Sequence, residues 1–332
     1  MKRWIKNSLI GTSCLLVLGA GLAGFSYRWL HTPLNATAGT IVELRRGEAF
    51  SSFVSRLQAD GIIDSPRILT WTARLLGRAH RAQAGEYAID KTTTPAGLLQ
   101  QVVEGRVVGY RVQIIEGWTV MQAVSALARS EVLRIELVGV DEASLLAALG
   151  LPDGRAEGLF FPDTYRFVRG DSDAGVLRRA YGKMREELQQ AWQSRASGLP
   201  YQSAYEALVV ASLIEKETGR EEDRIPISQV FASRLRLGMY LQTDPTVIYG
   251  LGERYDGNLR LHHLKEDTPY NTYVHKGLPP TPIALPGVNS IAAAVHPGSG
   301  NYLYFVARGD GGSQFSVSLE DHLAAVRKYQ LR

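Results

Sequence analysis

"SAYEALVVASLIEKETGR", residues 203 to 220, sets how the second half of the chain folds. Ser203 followed by Glu206 is a capping-box pattern, so a helix is expected to begin just after Ser203. Apolar residues run from Ala207 to Ile214, and Gly219 is expected to stop the helix with a positive φ. Its last turn carries Glu215, Lys216 and Glu217. Residues two apart lie about 200° around a helix, so the two glutamates cannot face one substrate atom together. By helical neighbours, Glu217 lies below Val210, Leu213 and Ile214, while Glu215 shares a stripe with Leu208, Ala211 and Ser212. Glu217 is on the more apolar side, and Lys216 points elsewhere. Desolvation there would raise its pKa, as a general acid near neutral pH requires. A solitary glutamate near a helix end is more often simply solvated, so its role depends on the residues that the downstream chain can bring to it.

Beyond this helix, "PISQVFASRLRLG" reads as a second one from Pro226 to near Gly238. Gln242, Thr243 and Asp244 come next, beside a proline, on a β-like run that ends at Tyr249. Amide, hydroxyl and carboxylate groups of this kind suit sugar hydroxyls and acetamido groups. "TPYNTYVHKGLPPTPIALPG" then supplies Tyr270, Asn271 and Tyr273, and planar rings can stack on pyranose faces. Packing and turn-making are the ordinary roles of the same residues. A charged helix end, a polar turn and an aromatic loop together suggest a carbohydrate groove. "LYFVARGDGGSQFSV" reads as a hairpin, and Ser318 caps a final helix, "LEDHLAAVRKY".

Upstream, "TIVELRRG" reads as a strand and "EAFSSFVSRLQADG" as an amphipathic helix. The pattern returns later: "GEAFSSFVSRL" from Gly47 aligns with "GWTVMQAVSAL" from Gly117, each preceded by a strand-like run. This is a repeated strand, glycine turn and helix, on few identities. Pro66 fits the first turn of another helix, "PRILTWTARLLG", and "GEYAID" reads as a return strand. Residues 39–105 therefore form a small α/β module, whose shape is that of a LysM-like unit by fold-level analogy. A connecting α/β region spans 106–198 and includes "AEGLFFPDTYRF", which reads as a turn packed by its own aromatics, and a charged helix from Asp173 to about Gln193. The last region is 199–332.

The chain has 332 residues, 45% hydrophobic and 21% charged, which excludes wholesale disorder and leaves room for two modules. Its net charge is +4, without a dense Lys/Arg stripe interleaved with aromatics, so no nucleic-acid partner is expected. Lys2, Arg3 and Lys6 precede an almost wholly apolar or small run from Ser8 to Leu30, broken by Arg28. This reads as a short cytoplasmic tail, 1–7, and a transmembrane helix, 8–30, with the remaining chain on the other side of the membrane. The A-x-A at Ala36 to Ala38 lies too far from the apolar run for a cleaved signal peptide. Cys14 is the only cysteine, so neither an intramolecular disulfide nor a thiolate metal site is possible. No H-E-x-x-H helix accompanies the histidines, and neither a metal nor a cofactor is expected.

"ASLIEKETG", "RLRLGMYLQTDPTVIYGLG", "YNTYVHKGLPPTPIALPG", "AAVHPG", "YLYFVARGDGG" and "EGLFFPDTY" together resemble the endolytic murein transglycosylase family, MltG or YceG-like. The resemblance runs in order through most of the chain after the first helix and is strongest after about residue 156. It implies an α+β protein: an N-terminal transmembrane helix, a LysM-like module and a lysozyme-like catalytic domain at the C-terminus. It implies cleavage of the bond between N-acetylmuramic acid and N-acetylglucosamine of nascent peptidoglycan without water, leaving 1,6-anhydro ends. The catalytic residue implied is a glutamate of "EKET". Related transglycosylases carry a helix ending in Glu-Ser, which fits Glu217-Thr218 with Thr for Ser and leaves Glu215 as the alternative. Gln242, Thr243, Asp244, Tyr249, Tyr270, Asn271 and Tyr273 are then expected to bind the sugar. The implied setting is the bacterial inner membrane with the catalytic domain in the periplasm or outside the cell, near penicillin-binding synthases. A non-catalytic glycan scaffold and a hydrolytic muramidase, the latter with Asp244 or Glu157 as second carboxylate, are the competing expectations.

Overall fold

The structure is a computed structural model, and it describes residues 2–330. The side chains of residues 2–12 and of Cys14 also fall outside the description, so the basic cluster and the first part of the expected span lie outside the described residues. The first helix, α1, runs Lys2–Leu30. Among the described residues no helix is long and apolar enough to cross a membrane.

The chain packs as two compact units: Met1–Tyr110 with Phe167–Gly170, and Arg111–Arg166 with Asp171–Arg332. In the first, β1 (Thr40–Leu44) and β2 (Gly85–Ile89) pair antiparallel, Val42 opposite Tyr87, with α2 (Phe50–Ala59) and α3 (Pro66–Leu75) between them in the chain. Helix α4 (Pro95–Glu104) closes the unit, and Thr94 caps it by accepting the Gly97 N–H. The core is Leu44, Phe53, Leu57, Leu69, Tyr87, Leu98 and their neighbours. These are the inward residues of period-two strands and period-3.6 helices.

Strand β3 (Tyr110–Gln113) pairs with β4 (Thr164–Phe167), and the second unit, from Arg111, contains α5 (Val120–Ala128), α6 (Glu142–Ala148) and α7 (Asp173–Gln193). Gly47 and Gly117 both adopt φ near +77°, between a strand and a helix. The repeated sequence pattern therefore marks a repeated local structure, in which a left-handed turn needs glycine. Then come α8 (Ala204–Glu217), α9 (Glu221–Arg236), α10 (Asp244–Leu251), α11 (Val288–Val295), the antiparallel β5 (Tyr304–Ala307) and β6 (Ser313–Ser316), and α12 (Leu319–Tyr329). Most of the residues expected to form a connecting region belong to this unit.

Helix α8 lies at the centre, against α7, α9, α10 and α11. Every residue from Ala207 to Ile214 is buried. A helix apolar all round is a core helix, and this one carries Glu215 and Glu217 in its last turn.

Two expected elements differ. Helix α9 starts at Glu221 rather than at Pro226, because Glu221, Glu222 and Asp223 put negative charge at its N-terminus and outweigh the proline inside it. The expected β-like run to Tyr249 is α10: Asp244 puts a negative charge and Pro245 a preset φ in its first turn, and these start signals override the β-branched Thr246, Val247 and Ile248.

Candidate active site

Ser203 caps α8 by accepting the Glu206 N–H at 3.2 Å. The far end closes differently from the expectation. Gly219 has no positive φ; instead Thr218 leaves the helix extended at φ −148° and ψ 139°, with its Oγ1 accepting the Arg220 N–H at 3.0 Å. A local hydroxyl-to-backbone bond thus takes the role expected of glycine.

Two unlike corners flank this terminus. The Glu215 side chain is 6% exposed and lies 3.6 Å from the guanidinium of Arg224, which is 9% exposed. The Gly287 N–H donates to its other oxygen at 3.0 Å, and Arg224 Nε donates to Ser290 Oγ at 3.1 Å. Glu116 joins the corner: burial and then the Glu215 charge push its carboxyl up, against the pull of Arg224. Gly287 is pressed so close to Glu116 that an added Cβ would fall 2.0 Å from Glu116 Oε1. Glu215 is therefore held by a cation and a backbone N–H, the setting of a structural carboxylate.

Glu217 is half-buried and, among the described residues, has no cation in contact. Burial pushes its carboxyl up to about 7, the Asp244 charge pushes the same way, and the Thr243 hydroxyl and Arg234 oppose. The Thr243 hydroxyl donates to Glu217 Oε1. Thr243 is itself fixed, because its N–H donates to Thr272 Oγ1 at 3.1 Å and its carbonyl accepts from Thr246 Oγ1 at 2.7 Å. Just before it, Gln242 adopts φ +49°, the single non-glycine residue with positive φ among the described residues. Such a conformation persists only where surroundings impose it, here the bond from Gln242 N–H to the Thr272 carbonyl at 3.1 Å. Asp244 is exposed and accepts from Tyr273 Oη at 2.6 Å. The α8 faces do not separate the two glutamates, since the helix is buried on every side; their partners do.

Next to this end lies a cleft of about 1160 Å³, lined by Trp118, Gln122, Arg155, Glu157, Tyr249 and Tyr270 among others. Lys216 and Pro245, the chain neighbours of Glu217 and Asp244, also line it; Glu217 itself is not on its wall. The Tyr249 and Tyr270 rings meet edge to face at 4.8 Å. Tyr270 Oη bonds Thr281 Oγ1 at 2.9 Å. Asn271 stands apart from the expectation: it is fully buried, its amide donates to the His263, Leu264 and Glu266 carbonyls, and its oxygen accepts the Tyr273 N–H at 2.9 Å. It shapes the loop from inside and does not face the cleft. Lys216, expected to point elsewhere, borders the cleft and donates to the Gly117 carbonyl at 3.1 Å.

Glu157 is the residue the sequence undervalued. It is 2% exposed, accepts the Val120 N–H at 3.0 Å and Tyr249 Oη at 3.2 Å, and burial pushes it up to about 7. Its motif does form a turn, because Gly158 at φ +81° lies against Pro282 where a Cβ would clash at 2.4 Å. A carboxylate just before a positive-φ glycine and a pair of aromatics was the available signal; the Gly158 N–H also donates to it at 3.3 Å, while Val120 and Tyr249 are remote in sequence. Arg155 and Trp118, further wall residues, carried none. Among the described residues no group of three His, Cys, Asp or Glu is placed to hold a metal ion.

A carboxylic acid poised near neutrality at the end of a core helix, beside an open cleft walled by tyrosines, defines an acid–base site suited to a large substrate. The YceG-like family pattern matches residues 42–328, and the chain belongs to that family. It is 32% identical to the endolytic murein transglycosylase of Bacillus subtilis strain 168 over 335 residues, 95% of this chain and 91% of the relative. It is 25% identical to the protein of the same name from Streptococcus pneumoniae serotype 2 strain D39, over 92% of this chain. There it spans only 62% of the relative's length. The crystal structure of a yceG-like protein from Listeria monocytogenes superposes with a TM-score of 0.52 at 28% identity, over 87% of this chain and 99% of that one.

Proposed function

We propose that this chain is an endolytic lytic transglycosylase that cleaves the bond between N-acetylmuramic acid and N-acetylglucosamine within peptidoglycan strands. The observation that carries the reading is the Glu217 carboxyl, raised to about 7 without a contacting cation among the described residues and gripped by the Thr243 hydroxyl. The family and the name shared by its relatives support the same chemistry.

Protonated Glu217 donates to the glycosidic oxygen as the bond to the muramyl anomeric carbon breaks and oxocarbenium character develops. The resulting carboxylate then takes the proton of the muramyl C6 hydroxyl, whose oxygen bonds the same anomeric carbon. One proton leaves the acid and one returns, no water is consumed, and a 1,6-anhydro end remains. A single carboxyl suffices because the nucleophile is built into the substrate. Thr243 holds the carboxyl, and Gln242, Asp244 and Tyr273 meet the sugar on the exposed side of Glu217. Tyr249 and Tyr270 form the wall along which the strand runs.

In the full proposal α1 anchors the chain in the bacterial inner membrane with the catalytic domain outside the cytoplasm, the first unit is a LysM-like module and the second a lysozyme-like domain. Tethering puts the site on nascent strands beside penicillin-binding synthases, and co-purification from crosslinked membranes checks that partner. The test of the reaction is digestion of purified glycan strands in isotopically labelled water, read by mass spectrometry. Anhydro ends without label are expected. Labelled reducing ends would assign a hydrolytic muramidase, with Glu157 as the second carboxyl, and binding without new ends a scaffold.

A further inference from the structure

The outward face of α3 is both apolar and cationic. On that face Trp71 is 68% exposed and Leu75 88%, while the inward face buries Leu69 and Ala73; Leu76, the C-cap residue beyond the last turn, is 54% exposed. Arg67, Arg74, Arg78 and Arg81 surround them, all exposed, and among the described residues none of the four has an ion-pair partner. Steps of four and three residues from Arg67 through Trp71 to Arg74 lay these three side chains along one stripe of α3, and Arg78 follows just past the end of the helix. The linear sequence hides this stripe, because helical spacing separates its members.

Neither group of side chains has a reason in the core of its own unit. What covers them must carry negative charge and also accept aliphatic groups. A glycan would use Trp71 and the neighbouring groove of Ser51, Ser55 and Gln58, yet leave Leu75 and Leu76 in water. An anionic phospholipid interface takes the whole face: the indole at headgroup level, Leu75 at the acyl boundary and the guanidiniums on phosphates. Position agrees with charge. Helix α1 packs against α3 and α4, and Trp29 and Leu30 in its last turn lie on the same core that buries Leu69 and Ala73.

We infer that the exposed face of α3 lies on an anionic phospholipid surface, with Trp71 and Leu75 entering the interface, Arg67 and Arg74 on lipid phosphates, and Arg78 joining them from just past the helix end. This goes beyond the catalytic reading and uses the anchoring reading only to explain why the surface is near. Held so, the first unit cannot swing freely about the end of α1, which fixes the height of its chain above the bilayer.

The test uses the full chain with Cys14→Ser and Leu75→Cys, labelled with an environment-sensitive fluorophore and mixed with vesicles carrying brominated acyl chains. Val138→Cys, 79% exposed in the other unit, is the control position. The expected result is a blue shift and bromine quenching at position 75 in phosphatidylglycerol-containing vesicles, several-fold weaker in pure phosphatidylcholine, and none at 138. Arg67→Gln, Arg74→Gln and Arg78→Gln combined should weaken this surface contact at least about tenfold. A probe at 75 that stays water-like while the chain co-floats with the vesicles overturns the inference and leaves the anchor standing. A probe that responds only to added soluble glycan strands overturns it in favour of a sugar site. Flotation that needs phosphatidylglycerol and is lost in the triple variant supports the inference and removes the anchor, and a chain that floats with no vesicle sinks both.

Discussion

The two corners at the end of α8 hold the same side chain, two residues apart on one helix, and make different things of it. At the first, Glu215 has Arg224 and the Gly287 N–H, so its charge is compensated where it is buried. At the second, Glu217 has one hydroxyl, an anionic neighbour in Asp244 and, among the described residues, no contacting cation, and its proton is held to about 7. Burial alone does not separate a structural carboxylate from a reactive one; the partner does.

The largest expected effect comes from removing the proposed proton donor. Glu217→Gln keeps shape and burial, and should lower the rate of strand cleavage by about 10²- to 10⁴-fold, measured as new ends per unit time, with the melting temperature at neutral pH held or raised. The opposite signature is expected at the other corner. Arg224→Ala leaves Glu215 buried without its cation and should cost about 3 kcal/mol of stability in denaturant titration, while folded molecules keep turning over. If both variants lose activity and stability together, the contrast between the corners disappears.

How far the sequence foretells this site depends on the range over which each cause acts. The cap at Ser203, the hairpin from Tyr304 to Ser316 and the α12 helix are local, and the structure matches the reading. So does the repeated glycine turn at Gly47 and Gly117. The helix at Asp244 was hidden because its β-branched run competes with its start signals, and only Pro245 and the Asp244 charge in the first turn decide. The sequence offers Glu157 only as a second carboxylate for the competing hydrolytic reading, because two of its partners, Val120 and Tyr249, are distant in the chain. Asn271 misled because a polar residue between tyrosines serves the loop interior as readily as a ligand. Helical faces pointed to Glu217 on a premise the fold removes, since α8 has no exposed face over Ala207–Ile214.

A subtler effect is expected from Glu157. Its folded value, about 7, stands above the ordinary 4.5, so the native state holds a proton that the unfolded chain releases. The stabilisation is full below the unfolded value and is lost as pH rises through 7. Melting temperature should therefore fall between about pH 5 and pH 8, and Glu157→Gln should reduce that slope in thermal scans at several pH values, leaving the part due to Glu217. An unchanged slope would mean that Glu157 is ionised throughout.

The smallest effect sharpens the second corner. Thr243→Val removes the hydroxyl on Glu217 without removing a helix cap, since the Thr243 side chain makes no capping bond. That hydroxyl lowers the pKa of Glu217, so its loss should move the alkaline limb of the pH–rate profile upward and reduce the rate about tenfold. A limb that stays in place would separate Thr243 from the acid.

The most direct measurement is a matched digestion of glycan strands by Glu217→Gln and Glu215→Gln, with anhydromuramyl ends counted by mass spectrometry and normalised to folded protein. These ends should vanish with Glu217→Gln and persist with Glu215→Gln. Anhydro ends produced by Glu217→Gln at the wild-type rate would contradict the assignment of Glu217 as the acid.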